Sequence, residues 1–240
     1  MRKETDINKV ISQHIEMEKF FTGGFAVRGT QSITEANKMK KAAGELEQIA
    51  QEVKDCRKCS LSETRTNAVP GEGNASAGIM FIGEAPGADE DAKGRPFVGR
   101  AGQLLDRIIT AMGLTRQDVF IGNILKCRPP GNRDPRPEEV ISCLPFLERQ
   151  IEVIQPEIIV ALGAHAARTL LETSKPIGQL RGRFHDYCLG MAGKPVKLMA
   201  TYHPAYLLRN YSRDTRAKVW EDMKKVLTEL DLPVPQKVGR

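Results

Sequence analysis

No stretch of this chain is apolar for long enough to cross a bilayer. The first residues, MRKETDINKVISQHIEMEKFF, mix charge into every short window and leave no room for the apolar core of a signal peptide. Both absences lead to the expectation of a soluble, cytoplasmic protein. No internal repeat is present. A nucleotide-binding signature is also missing. GEAPG at 83–87 lacks the glycine spacing and lysine of a P-loop and the three glycines of a dinucleotide fingerprint, and the single G-x-G at 71–73 precedes no helix. Nucleoside-triphosphate hydrolysis is therefore disfavoured. The five cysteines are odd in number, which in a reducing compartment argues against a disulfide framework and for metal ligation with one to spare. Cys188 is the expected spare.

What is present begins with size and charge. At 240 residues and 40% hydrophobic content the chain can bury one substantial core, and one domain with appendages is expected. The net charge of +6 points to an anionic partner, nucleic acid among them, or to a solvated basic face. Cys56 and Cys59 form a C-x-x-C pair that puts two thiolates within reach of one metal centre, and Cys127 and Cys143 can join them from distant segments. Zinc and iron-sulfur both accept four thiolates, although a zinc ribbon usually pairs two close C-x-x-C knuckles.

Residues 1–41 read as an extension. Ile7, Val10, Ile11, Ile15 and Phe21 could share one helical face, and Gly23-Gly24 and RGTQS break the pattern. A helical pattern with Leu46, Ile49 and Val53 then leads into the C-x-x-C, and a polar loop, GEGNASAG, follows. Four short apolar runs, at 78–83, 119–126, 157–163 and 196–202, are too continuous for strands with one wet face and read as buried parallel strands. Helical patterns at about 100–112, 137–154, 163–172 and 213–230 alternate with them. The expected fold is α/β and doubly wound, with a domain over 42–230 and a loose tail over 231–240. In such sheets ligands bind outside the carboxyl ends of the strands, where GEAPG, Asn123 and His203 fall.

GEAPG, GRPFVGRAGQLLD at 94–106, GNILKCRPPGNRDPRPEE at 122–139 and HPAYLLRN at 203–210 together resemble the family 4 uracil-DNA glycosylases, which carry an iron-sulfur cluster. The resemblance covers about 42–230 and all four framing cysteines. It implies a three-layer α/β/α fold with a central four-stranded parallel sheet and a 4Fe-4S cluster on Cys56, Cys59, Cys127 and Cys143. The implied reaction is hydrolysis of the N-glycosidic bond of deoxyuridine in DNA, which leaves an abasic site and begins base-excision repair. With no lysine nucleophile evident, strand cleavage is not expected. Family 5 relatives have an apolar residue where this chain has Glu84. The covalent DNA-trapping relatives carry a histidine in the loop after the second strand, and CRPPGNRDPRP has none. Family 1 enzymes carry an aspartate at the position of Ala85, so the water-activating group is left open.

The resemblance also assigns roles. His203 would donate to uracil O2 as the bond breaks, a contribution of about 3–4 kcal/mol for one such donor. Its other reading is a cap for the helix that Pro204 opens. Asn123 would read the N3–H and O4 edge. Phe97 would stack on the base, worth about 1–3 kcal/mol and comparable to the cost of flipping the nucleotide. Glu84 would either orient the attacking water or stabilise the sugar cation, and Asn132 matches an asparagine implicated in catalysis. Ala85 and Gly87 are expected to touch the base. Thymine's methyl group would be excluded by Glu84 or the loop after it. Ala88 replaces a carboxylate common in the family, and Asp89, Glu90 and Asp91 read as a solvated helix start.

Leu207 or Leu208 would wedge into the DNA, or both would pack beneath their loop. Arg209, Arg213, Arg216 and Lys218 on one side, and Lys126, Arg128, Arg133 and Arg136 on the other, would grip phosphates. Single- or double-stranded uracil-containing DNA is the expected partner of a monomer, with a repair or replication protein contacting the extension. The alternative is a noncatalytic iron-sulfur DNA-binding module.

Overall fold

The computed structural model describes residues 29–188, 195–210 and 212–235, with side chains from residue 37 onward. The expectations placed on 1–28, among them the helical face from Ile7 to Phe21, lie outside the described residues. The chain divides into two units, 1–40 and 41–240. Helix α1 (Gly29–Asp55) starts within the segment RGTQS, where the sequence suggests a break. Nothing in Thr30, Gln31 or Ser32 forbids a helix, and a glycine in the first turn gives up little, because the N–H groups there have no intrahelical partner in any case.

The second unit carries a six-stranded sheet. Its strands are β1 (Glu72–Gly73), β2 (Ile79–Gly83), β3 (Phe120–Asn123), β4 (Ile158–Leu162), β5 (Phe184–Tyr187) and β6 (Val196–Thr201), in the order β1-β3-β2-β4-β6-β5. The four central strands are parallel, as the apolar runs predict. They are buried on both faces because residues alternate between two cores. Met80, Ile82, Ile159 and Ala161 face one core, with Leu147 and Ile151 of α5 (Pro137–Ile154) and Ala167 of α6 (Ala164–Leu170). Ile79, Phe81, Ile158 and Val160 face the other, with Leu105 and Ile109 of α4 (Arg100–Ala111) and Met223 and Val226 of α9 (Arg213–Glu229). The result is three layers, α/β/α. The shorter helices are α2 (Leu61–Thr64), α3 (Ala88–Lys93), α7 (Ile177–Leu180) and α8 (Pro204–Arg209).

Two edge strands are additions to the sequence reading. The loop GEGNASAG contains β1, which pairs antiparallel with β3, and FHDY forms β5, antiparallel to β6. Both are too short to carry a periodic signal. The tail also departs from expectation. Leu232 packs against the core and its N–H donates to Leu227 O at 2.9 Å, while Asp231 and residues 233–235 are exposed.

One buried polar network fixes the far end of the sheet. Asp222 of α9 is fully buried and accepts from Thr201 Oγ1 at 2.6 Å and from Arg181 at 2.6 and 3.1 Å. It thereby ties α9 to the end of β6 and to the residue after α7. Asp222→Ala leaves the half-buried Arg181 guanidinium without its counter-charge. The expected loss is about 3–5 kcal/mol, a fall in melting temperature of roughly 6–20 °C. An unchanged thermal transition contradicts the assignment.

Candidate active site

A cavity of about 710 Å3 opens where the central strands end. Its walls combine the turn after β2, the end of β3, the loop 129–134, the start of α6 and the turn into α8. The β2/β3 pairing continues past the strands, since Ile124 N–H donates to Gly83 O at 3.0 Å and Leu125 N–H to Glu84 O at 2.9 Å. That continuation sets Glu84 beside Asn123. Gly83 makes the juxtaposition possible, because a Cβ there would lie 2.4 Å from Asn123 Oδ1 and 2.6 Å from the Phe97 ring. Gly163 does the same across the cavity with φ 94°, where a Cβ would lie 2.9 Å from that of His203.

Asn123 is 2% exposed, and among the described residues its Oδ1 is a buried polar atom that finds no partner. A buried acceptor left unmet costs about 1–3 kcal/mol. Such an orphan lining a cavity fits a ligand that brings an N–H. Its backbone is fixed instead, with Asn123 O accepting from Lys126 Nζ at 2.9 Å.

Phe97 forms another wall. It is 5% exposed and holds φ 51°, a conformation that costs a bulky residue about 1–3 kcal/mol. Arg116 sustains it, donating to Phe97 O at 3.2 Å and to Pro96 O while pairing with Glu72 of β1 and with Asp106 of α4. The short edge strand β1 thus braces the pocket.

His203 meets both of its sequence readings at once. It is the N-cap of α8, with Nδ1 accepting from Ala205 N–H at 3.1 Å, and its ring lies 5.7 Å from the Phe97 ring. An accepting Nδ1 leaves the proton on Nε2, free to donate. Burial, then the charge of Arg209, lowers the imidazole's pKa to about 4, with Glu90 opposing. At neutral pH it is an uncharged donor.

Glu84 is half-buried at the cavity edge, and desolvation pushes its carboxyl up. Two residues that the sequence analysis does not single out stand beside it. His165 Nε2 lies 4.0 Å from Glu84 Oε2 and 3.6 Å from Asp134 Oδ1. His165 follows β4 in an ordinary-looking GAHAA, and only its position at a strand end could have flagged it. Asn132 sits on the exposed rim at φ 55°, its Oδ1 accepting from Arg128 Nε at 2.8 Å. Ala85 and Gly87 line the cavity. The Gly87 N–H, however, donates to Glu90 Oε2 at 3.1 Å and is taken.

Several expectations need correction. Asp89, Glu90 and Asp91 are not a uniformly solvated helix start. Glu90 accepts from Val98 and Gly99 N–H at 2.9 Å each, and Asp91, 5% exposed, accepts from Thr66 N–H at 2.9 Å, so both carboxylates hold loops together. Lys126 is no phosphate contact. It is 1% exposed and donates to Asn123 O and, at 2.7 Å, to Gln150 Oε1. Leu207 is 3% exposed, turned inward as a core residue and so not available as a wedge. Leu208 is half-buried, and Tyr206 is exposed and stacked on Tyr202 with centroids 5.1 Å apart. Arg133 is paired with the buried Glu139, and Lys218 with Asp214. Arg209 stands on the cavity rim, and Arg213 is exposed outside it.

The four framing cysteines line one small cavity between the end of α1, α2, the loop after β3 and α5. Cys188 is exposed and apart from it. Burial pushes the Cys143 thiol up to about 11 and raises Cys127 as well, a cost that a bound cation would remove. Donors already address the sulfurs: Lys126 N–H to Cys143 Sγ at 3.2 Å and Arg65 Nη1 to Cys127 Sγ at 3.1 Å. Four thiols gathered at one cavity, two of them already addressed by donors, suit a thiolate-bound metal centre.

Comparison with known proteins places the chain in a family. The sequence model of the uracil DNA glycosylase superfamily matches residues 70–224. A type-4 uracil-DNA glycosylase of Saccharolobus solfataricus is 50% identical over 186 residues, covering 75% of this chain and 84% of that protein. One of Archaeoglobus fulgidus is 48% identical over 185 residues, covering 75% and 91%. A type-5 enzyme of Pyrobaculum aerophilum is 33% identical over 177 residues, covering 67% and 76%.

Histidine-selective NMR titration checks the electrostatics of the pocket. His203 should be the Nε2–H tautomer and titrate near pH 4. Because the folded state resists protonation, His203 makes stability fall as pH drops from about 6.5 toward 4, and the decline stops below that. A His203 that titrates at 6.5 contradicts this reading.

Proposed function

The chain belongs to the uracil-DNA glycosylase superfamily, and from that premise we propose how its pocket divides the work of excision. The protein is a DNA glycosylase that hydrolyses the N-glycosidic bond of deoxyuridine in DNA, leaving an abasic site for base-excision repair. The observation that carries the assignment of roles is the unpartnered Asn123 Oδ1, a buried acceptor lining the cavity. Uracil meets it with N3–H, while the amide's other end donates to O4. Cytosine presents a lone pair at N3 and is refused.

The extruded base stacks on Phe97. As the bond between C1′ and N1 breaks, its electron pair leaves with the base, and negative charge gathers on uracil O2. His203 Nε2–H donates there as a neutral group, a preorganised donor in a site with little water. The sugar is left cationic, and Glu84 supplies the opposing carboxylate, either stabilising C1′ directly or orienting the water that attacks it. Ala85 offers no carboxylate of its own, and Glu84 beside it supplies one from the same turn. The exposed Asn132 meets the DNA at the rim. Arg209 and Arg213 contact phosphates, and Leu208 with Tyr206, rather than Leu207, faces the strand.

Cys56, Cys59, Cys127 and Cys143 would hold a 4Fe-4S cluster, whose contribution is to cross-link the start of the domain to the loop after β3. The protein acts as a monomer, in the cytoplasm, on single- or double-stranded substrate.

Single-turnover release of uracil from an oligonucleotide tests the assignment. His203→Ala should slow it by about 100- to 1,000-fold, and Asn123→Ala should slow it strongly too, both with DNA affinity retained. Unchanged rates refute the roles. Cys143→Ala should lower bound iron and the melting temperature together, and full iron content in that variant would remove Cys143 from the ligand set.

A further inference from the structure

We propose that His165 is a positioning residue for excision, holding the Glu84 carboxylate at the reacting sugar from its place between Glu84 and Asp134. The proposal rests on the role given to Glu84 above.

The geometry is specific. His165 is the second residue of α6, so the backbone that ends β4 fixes it at the cavity wall. Its Nε2 stands 4.0 Å from Glu84 Oε2 and 3.6 Å from Asp134 Oδ1. Asp134 belongs to the loop that carries Asn132, so one imidazole addresses both segments that supply acidic or amide groups to the site. Without it, two carboxylates would face each other across the cavity edge. Burial and the charge of Asp134 both push Glu84 toward protonation, and His165 opposes them.

The other charged groups nearby are engaged or turned elsewhere. Arg133 pairs with Glu139, and Arg168 donates to Lys175 O at 3.0 Å. Glu90 is occupied by backbone N–H groups, and His203 is neutral. Arg209 acts on His203, and Glu172 is an exposed carboxylate at the far end of α6. Among these groups His165 is the one that stands against the Glu84 carboxylate, at 4.0 Å. Protonated, it keeps the carboxylate ionised and aimed; a neutral replacement would let Glu84 take up a proton at higher pH.

The experiment compares single-turnover uracil release against pH for the intact chain, His165→Ala, His165→Lys, Glu84→Gln and the double variant Glu84→Gln/His165→Ala. His165 is 40% exposed, so its replacements should stay folded, which thermal melting verifies. Glu84→Gln should be slow. His165→Ala should be roughly 3- to 30-fold slower near neutral pH, the size of a contact coupling, and its acid limb should move to higher pH. His165→Lys should restore much of the rate and return the limb. In the Glu84→Gln background, removing His165 should change nothing further. A slow Glu84→Gln beside a His165→Ala with the intact chain's rate and pH profile overturns the proposal and spares the role of Glu84. A fast Glu84→Gln defeats that role itself. An equal loss from His165→Ala in both backgrounds also overturns the proposal, since His165 would then act through another group.

Discussion

A buried amide oxygen that finds no donor is a standing cost, and the architecture around Asn123 keeps that cost in place. The backbone beneath that side chain is pinned. Asn123 O accepts from the buried Lys126 ammonium, and Lys126 is held in turn by Gln150 of α5. Gln150 closes the circuit by donating to Pro70 O at 2.8 Å. Lys126 also donates its backbone N–H to Cys143 Sγ. The cysteine cavity and the base-reading residue are therefore neighbours through one lysine.

Charge follows the same logic. Burial and the charge of Arg209 disfavour the protonated form of His203, so in the proposed reaction it would donate to the developing anion as a neutral group. Glu84 lies nearer solvent, with His165 and Asp134 on its outer side. In the proposed reaction a neutral donor at the base and a carboxylate at the sugar would match the two charges that separate when the glycosidic bond breaks. Phe97 lines the same cavity, at the cost of a left-handed backbone that Arg116 and the β1 edge hold in position.

Much of this was legible in the chain. Four continuous apolar runs gave the central parallel strands, and their ends located the pocket, because strand ends are where such sheets bind ligands. Asn123 and His203 stood out as polar groups at those ends. What the sequence hid has physical causes. A two-residue strand has no period, so β1 was invisible. Glu90 and Asp91 look like any acidic helix start until the loops they bind are known. Lys126 reads as a surface cation beside arginines, yet it is the buried strut of Asn123, and no local pattern distinguishes the two. Leu207 and Leu208 are adjacent and chemically alike, and only the orientation of α8 buries one of them. His165 lies in a run of alanines with no motif to mark it.

The central claim is that Asn123 Oδ1 waits for the N3–H of uracil. Calorimetric titration of the protein with free uracil and with 3-methyluracil addresses it directly, since methylation removes that one donor and leaves the stacking face intact. Uracil should bind measurably and 3-methyluracil should not, and the difference should vanish in Asn123→Ala. Equal affinity for the two bases in the unaltered protein would contradict the account.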